Sequence, residues 1–257
     1  LKAVGYFVFA SIQLSKGFYL KEWKELFSFG FGIILLKLNG YISNNGINLF
    51  LGKVLAPSLL GVFERTFSIK TLPSRYIGNI LDTIMFPAVS EIQYEEERLF
   101  KIYQHSLGVV NTILFPTALY LIFFFFYIFS ILLGAEWMEA VIPLQIMFIV
   151  LPFSSSGRMA DSVIRAKGLI YKNAARKFLY AVVLIISTTY GGFKYGLIGA
   201  AIGVTISNLF NYVTMLLLVR KIFNKNASEI FFSPVISGLK LMIFLLIILV
   251  LSTTMFN

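Results

Sequence analysis

The sequence predicts an all-α fold, a polytopic transmembrane helical bundle. Three observations predict it. The chain is 58% hydrophobic and 13% charged, with a mean hydropathy of +0.84. It divides into apolar runs long enough to cross a bilayer, and its basic residues crowd into alternate connections between those runs. A soluble domain is typically about 25% charged. A chain this apolar has too little polar surface for water, whereas lipid lets apolar side chains face outward. The 27 Phe and 13 Tyr suit such a surface, with rings at the interfaces.

In chain order, the first apolar run is Ala3 to Ile12. A helix needs about 20 apolar residues to cross the hydrocarbon core, so this run is too short. It reads as the tail of a spanning helix, and the sequence is expected to be the C-terminal part of a longer protein. Seven longer runs follow: Leu26 to Leu51, Leu59 to Val89, Gly108 to Leu133, Val141 to Ile164, Phe178 to Gly192, Leu197 to Val219, and Val235 to Met255. The expected division is 1–25 as a helix tail and cytoplasmic link, 26–221 as a six-helix lobe, and 222–257 as an additional helix. Short connections predict antiparallel neighbours. The longest polar connection, Ser90 to Gln104, carries Glu95-Glu96-Glu97-Arg98 and reads as a solvated surface helix.

One set of alternate connections holds Lys16, Lys21, Lys24, Arg98, Lys101, Arg165, Lys167, Lys172, Arg176, Lys177, Arg220, Lys221 and Lys225; the other holds Lys53 and Lys194. Basic loops stay on the cytoplasmic side, so the first set is placed there. The alternation holds through every turn and supports the span count independently. It also accounts for the net charge of +10 as orientation in a membrane rather than nucleic-acid binding.

Punctuation agrees with the runs. Gly61, Gly134, Gly192 and Gly199 lie near span ends, while Pro87, Pro116, Pro143 and Pro152 lie in or near apolar runs and predict kinks. Gly199 and Gly203, in GAAIG, form a small-xxx-small motif that lets helices approach closely.

Ionisable groups inside apolar runs are the candidate functional residues, because a charge at the bilayer centre costs about 2.5–3.5 kcal/mol on insertion scales. Lys37 stands in the first span, Glu64, Arg65, Lys70, Arg75 and Asp82 in the second, and Arg158 and Asp161 in the fourth. A cavity lined by Lys37, Lys70, Arg75 and Arg158 suits a phosphate or pyrophosphate group. Glu64, Asp82 and Asp161 are candidates for ion coupling or charge pairing. The spacing of Arg158, Asp161 and Arg165 puts them on one face and allows one ladder.

The absence of cysteine excludes disulfides, thiolate nucleophiles and thiolate metal sites, and the single His105 argues against a His-built metal centre or a catalytic triad. No Gly-rich phosphate loop, HExxH or nucleophile elbow is present. No cofactor, metal or enzymatic activity is expected.

Several segments between Phe29 and Gly168 resemble a known family. FSFGFGI (Phe27 to Ile33) is similar to its opening of the seventh helix. INLFLGKVLAPSLLGVFERTFSI (Ile47 to Ile69) and LPSRYIGNILDTIMFPAVSEIQ (Leu72 to Gln93) resemble two further runs of that family. ILFPTALYL, LLGAEWMEAVIPLQIM and RAKG (Arg165 to Gly168) follow in the family's order. The resemblance is to the polysaccharide-export branch of the multidrug/oligosaccharidyl-lipid/polysaccharide (MOP) exporters, the Wzx/WzxC-like O-antigen and exopolysaccharide flippases. Ile47 stands where that family often has Asp, and Phe63 replaces Tyr, so no cation role carries over to position 47.

The resemblance implies the second, C-terminal lobe of a MOP/MATE-like two-lobe transporter in the cytoplasmic (inner) membrane. It implies a flippase that carries an undecaprenyl-pyrophosphate-linked oligosaccharide outward by alternating access, driven by an ion gradient. The implied partners are the lipid-linked oligosaccharide, membrane lipids, the N-terminal lobe, and the polysaccharide polymerase and glycosyltransferases; nucleic acid is not among them. Three rivals are weighed against it. A drug exporter of the same fold favours an acidic cavity, and a peptidoglycan-precursor exporter differs only in substrate. A glycan-assembly enzyme needs a large outer loop. A scaffold bundle has no use for buried charge.

Overall fold

The computed structural model describes residues 20–132, 135–226, 228–230, 236, 238–240 and 243. Its elements are α1 (Leu20–Leu51), α2 (Pro57–Glu91), α3 (Glu96–Leu132), a 3-10 turn (Ala135–Ala140), α4 (Val141–Phe148), α5 (Leu151–Ala166) and α6 (Ile170–Phe223). The chain is a multi-pass membrane bundle. Among the described residues three helices are long and apolar enough to cross a membrane: Leu26–Leu51, Glu96–Tyr127 and Ile170–Phe223. A fourth span arises if the pair Trp137–Phe148 and Leu151–Ala166, bent by 52°, crosses as one. α2 has 35 residues, about 52 Å of helix, but carries charge along its length.

Two breaks in this bundle have local causes. Pro152 sits at the first turn of α5. It has no N–H for the Phe148 carbonyl, and its ring crowds that carbonyl, so α4 stops and α5 restarts at an angle. α6 is continuous by hydrogen bonding but leaves helical geometry at Tyr195 and at Gly196, whose φ is +59°. Only glycine adopts that conformation without strain. The 54-residue element is therefore a hairpin of two arms, 170–194 and 197–223. In a straight helix Gly191 and Gly199 would stand about 12 Å apart; here a Cβ on Gly199 would lie 2.0 Å from the Gly191 carbonyl oxygen. Gly203 packs the same way against Ser187, whose hydroxyl donates to the Gly203 carbonyl at 2.9 Å. The GAAIG motif is thus the seam of this hairpin. The runs expected at 178–192 and 197–219 are its arms.

The first four long runs coincide with α1, α2, α3 and the bent α4–α5 pair, but α2, expected as a span, is not among the described helices apolar enough to cross. The connection expected at Ser90 to Gln104 shrinks to a turn near Tyr94, because α2 reaches Glu91 and α3 begins at Glu96. Glu96 and Glu97 cap α3 with charge of the sign its N-terminal dipole favours. They bind Lys167 Nζ at 3.4 Å and Lys225 Nζ at 3.0 Å, which ties three connections together at the basic end of the bundle. The Glu97 bond raises the Lys225 ammonium above the ordinary lysine range. His105 is exposed on α3.

The apolar run 235–255 and the segment 1–19 fall almost entirely outside the described residues. One described position of the C-terminal segment touches the bundle: a Cβ on Gly238 would lie 2.8 Å from the Asn111 carbonyl oxygen of α3.

α5 is the axis of the bundle. It packs on α2, α3 and α6, and α1 packs on α6. Its sequence LPFSSSGRMADSVIRA is the least apolar of the helices, yet Ser155, Ser156, Gly157, Met159 and Ala160 are all buried. Small side chains let neighbours come close, as membrane helices require when lipid is as apolar as leucine. Ser74 of α2 shares hydrogen bonds with Ser154 at 3.2 Å and Ser155 at 3.0 Å. One turn on, Gly78 leaves room for the Arg158 side chain, which passes 2.5 Å from where a Cβ would stand. A second apolar cluster joins Ile47, Leu51 and Phe63 to Met147, Leu184 and Ala200. Ile47 and Phe63, the two departures from the family pattern, thus lie in one buried apolar cluster.

Candidate functional site

A cavity of about 470 Å³ opens inside the bundle. Each wall is a stripe at helical spacing. α1 contributes Ile33, Leu36, Lys37, Asn39, Gly40, Ser43 and Asn44. α2 contributes Phe67, Lys70, Thr71 and Ser74, and α5 contributes Ser154, Gly157, Arg158, Asp161 and Arg165. The first arm of α6 adds Asn173, Lys177, Tyr180 and Leu184, and the second adds Asn208 and Asn211. Residues three or four apart share a face, so four helices each present one polar stripe to the same space.

Among the described residues, the lining carries five basic side chains, Lys37, Lys70, Arg158, Arg165 and Lys177, against the single carboxylate of Asp161. That carboxylate is fully engaged. Its Oδ1 accepts from Arg176 Nη2 at 3.0 Å and from Asn173 Nδ2 at 3.0 Å, and its Oδ2 accepts from Lys177 Nζ at 2.6 Å. Arg176 also donates to Asn173 Oδ1 at 2.8 Å and to the Asn211 carbonyl at 3.2 Å. Arg165 donates to the Asp161 backbone carbonyl at 3.3 Å and to Ser162 Oγ at 3.2 Å.

Lys70 is different. The residue is 4% exposed, and among the described residues no carboxylate or hydrogen-bond acceptor pairs with its ammonium. Its contact is the Phe67 ring, whose centroid lies 5.7 Å from Nζ. A buried ammonium without a partner is costly unless an anion completes it. The arrangement can therefore hold an anionic group. Among the described residues no cluster of three His, Cys, Asp or Glu side chains is placed to bind a metal.

Of the residues singled out in the sequence, Lys37, Lys70, Arg158 and Asp161 meet in this cavity. Arg75 and Glu64 do not; both are exposed and lie outside its lining. Five residues after Lys70, Arg75 is turned by about 140° around the helix. Asp82 lies on α2, with its side chain outside the described residues. Instead of the ladder with Arg158 and Arg165, the Asp161 carboxylate pairs across the α5–α6 turn with Arg176 and Lys177.

Arg176, Lys177 and the asparagines were not legible as site residues, because the basic pair reads as part of a cytoplasmic connection. α6 begins at Ile170, so both lie within the helix. The signal that could have found them is the polar spacing Asn173, Lys177, Tyr180 at four and three residues.

Comparison with known proteins gives one family match: residues 1–142 fit the model of a polysaccharide biosynthesis protein family. Three curated relatives are similar. An uncharacterized membrane protein in the cps region of Klebsiella pneumoniae is 26% identical over 75% of this chain and 40% of its own length. The lipopolysaccharide biosynthesis protein WzxC of Escherichia coli (strain K12) is 25% identical over 72% of this chain and 38% of its own. The teichuronic acid biosynthesis protein TuaB of Bacillus subtilis (strain 168) is 23% identical over 68% of this chain and 37% of its own. The matched region thus spans about 40% of the length of these relatives. No solved structure matches.

Proposed function

The chain belongs to this polysaccharide biosynthesis protein family, and on that premise we propose that it forms one lobe of a flippase in the cytoplasmic membrane. The flippase carries an oligosaccharide linked to undecaprenyl pyrophosphate from the cytoplasmic to the outer leaflet, by alternating access against an N-terminal lobe. No bond is made or broken, so the activity is transport rather than catalysis. The polymerase and glycosyltransferases of the same pathway are the proposed partners.

The observation that carries this reading is the Lys70 ammonium, buried in a cavity with a basic excess and left, among the described residues, without a counterion. A pyrophosphate headgroup supplies the missing negative charge, and Arg158 offers a planar fork to its oxygens. Arg165 and Lys177 line the cavity near the connection at Lys167, whose basic cluster the positive-inside rule assigns to the side where the substrate is made. Asp161 serves as the counterion that fixes Arg176 and Lys177.

The test is complementation with the full-length gene in a bacterium lacking its own O-antigen or exopolysaccharide flippase. Restored surface polysaccharide, lost in Lys70→Ala and Arg158→Ala at equal membrane levels, is the expected result. Restoration that survives both substitutions discards the site, and no restoration across several glycan systems discards the flippase.

A further inference from the structure

The two faces of α2 are chemically distinct. One face, with Phe67, Lys70, Thr71 and Ser74, looks into the cavity, and Thr71 marks its border with the other. The other exposes Glu64, Arg65, Ser68, Arg75, Tyr76, Asn79 and Thr83. Successive members are one, three or four residues apart, or seven across Leu72, so they form a single stripe. From Glu64 to Thr83 it runs about 28 Å along the helix, close to the thickness of a hydrocarbon core.

A lipid-facing stripe looks different in this same molecule. The exposed face of α3 shows Val109, Ile113, Phe123 and Phe126, and the α6 arms show Ile186, Phe193, Ile206 and Leu217. Those are the residues that hydrocarbon accepts. Charges, an amide and hydroxyls over the same depth are not. The stripe therefore borders water.

We propose that this outward face of α2 is a contact track for the hydroxyl-rich saccharide part of the substrate, separate from the anion-holding cavity behind it. The proposal rests on the flippase reading. Its chemistry is that of sugar recognition. Glu64 accepts, Arg65 and Arg75 donate, Ser68 and Asn79 do both, and Thr83, whose hydroxyl donates to the Asn79 carbonyl at 2.8 Å, accepts, which matches hydroxyls that donate and accept in turn. Tyr76, 68% exposed, offers a ring face for the C–H side of a pyranose. The mixture of signs disfavours a second phosphate site, which needs a basic excess. A packed protein interface needs a larger apolar centre depleted of charge, and among the described residues Leu72 is the stripe's lone large aliphatic residue between Glu64 and Thr83. The helix thus partitions the substrate, with charge on one side and glycan on the other.

The chain has no cysteine, which permits a direct test. Single cysteines are placed in the full-length protein, freed of any other cysteine, as Ser68→Cys, Tyr76→Cys, Asn79→Cys and Thr83→Cys. Phe123→Cys and Ile206→Cys serve as lipid-facing controls. Membrane vesicles are treated with a charged, impermeant thiol reagent. Three conditions are compared: no addition, undecaprenyl diphosphate, and undecaprenyl diphosphate carrying an oligosaccharide extracted from a capsule-producing host.

The stripe is expected to react and the controls to stay unlabelled. The sugar-bearing lipid, at about ten times its Kd, should slow stripe labelling about tenfold by simple occupancy, and the sugar-free lipid should not. Stripe positions as unreactive as the controls overturn the proposal, since lipid or protein then covers the face. Equal protection by both lipids also overturns it, because the track then reads the headgroup; so does the absence of protection. Failed complementation with a reactive, sugar-protected stripe sinks the transport reading and leaves the track standing.

Discussion

Asp161 of α5 and Arg176 of α6 form an ion pair, 3.0 Å apart, across the turn that joins their helices. Their side chains are 16% and 8% exposed, and the guanidinium extends the bond to Asn173 and Asn211. Removing Arg176 takes away one of the two cations that hold the Asp161 carboxylate and leaves Lys177 in place, so the cost falls below the about 3–5 kcal/mol of a fully broken buried pair. Arg176→Ala is expected to lower thermal stability in detergent. Arg176→Lys is expected to rescue little, because one ammonium cannot reproduce bonds to three residues. Adding Asp161→Asn to Arg176→Ala should cost less than the sum of the singles, and thermal melts of all four proteins check this.

Lys70 behaves in the opposite sense. Among the described residues it is buried without a counterion, so Lys70→Met removes an unpaired charge while keeping the aliphatic volume. The expected outcome is a melting temperature equal to or above that of the parent, together with loss of surface polysaccharide in the complementation assay. A destabilised variant would mean that the ammonium holds the fold together.

The α6 hairpin depends on the absence of two β-carbons. A Cβ on Gly199 would stand 2.0 Å from the Gly191 carbonyl oxygen, and one on Gly203 would stand 2.3 Å from that of Ser187. Gly199→Val and Gly203→Val are expected to abolish stable insertion, by about 1–3 kcal/mol or more of overpacking strain. Gly61→Ala on α2, with nothing within 4 Å, should express normally. Membrane levels and detergent melts distinguish them.

Position 47 tests how far the resemblance reaches. Ile47 is 1% exposed, in the apolar cluster that holds Phe63. Ile47→Asp restores the residue the family often carries but buries a carboxylate without a partner. It is expected to destabilise the lobe by several kcal/mol. A melt unchanged by the substitution would show that the position is hydrated.

The orientation read from the basic connections is checked with two exposed tyrosines. Tyr94 lies on the side assigned to the cytoplasm and Tyr195 on the side assigned outside. In intact cells an impermeant thiol reagent should label Tyr195→Cys and leave Tyr94→Cys untouched until the membrane is broken.

The sequence by itself determined the class of fold, the apolar runs that become α1 to α6, and the hairpin seam at Gly199 and Gly203. These follow from local facts: hydrocarbon thickness sets the length of an apolar run, a proline cannot continue a helix, and glycine alone fits a close helix crossing. It also picked out Lys37, Lys70, Arg158 and Asp161, because charge at membrane depth stands out against an apolar background. Which of those charges meet is a matter of rotation about each helix axis. A run of apolar residues does not record that angle when the helix is apolar on nearly every side. Only the tertiary structure turned Lys70 inward and Arg75 outward on the same helix. Only there did Asp161 find Arg176 and Lys177, since the turn that brings them together joins two helices whose relative direction no single run contains.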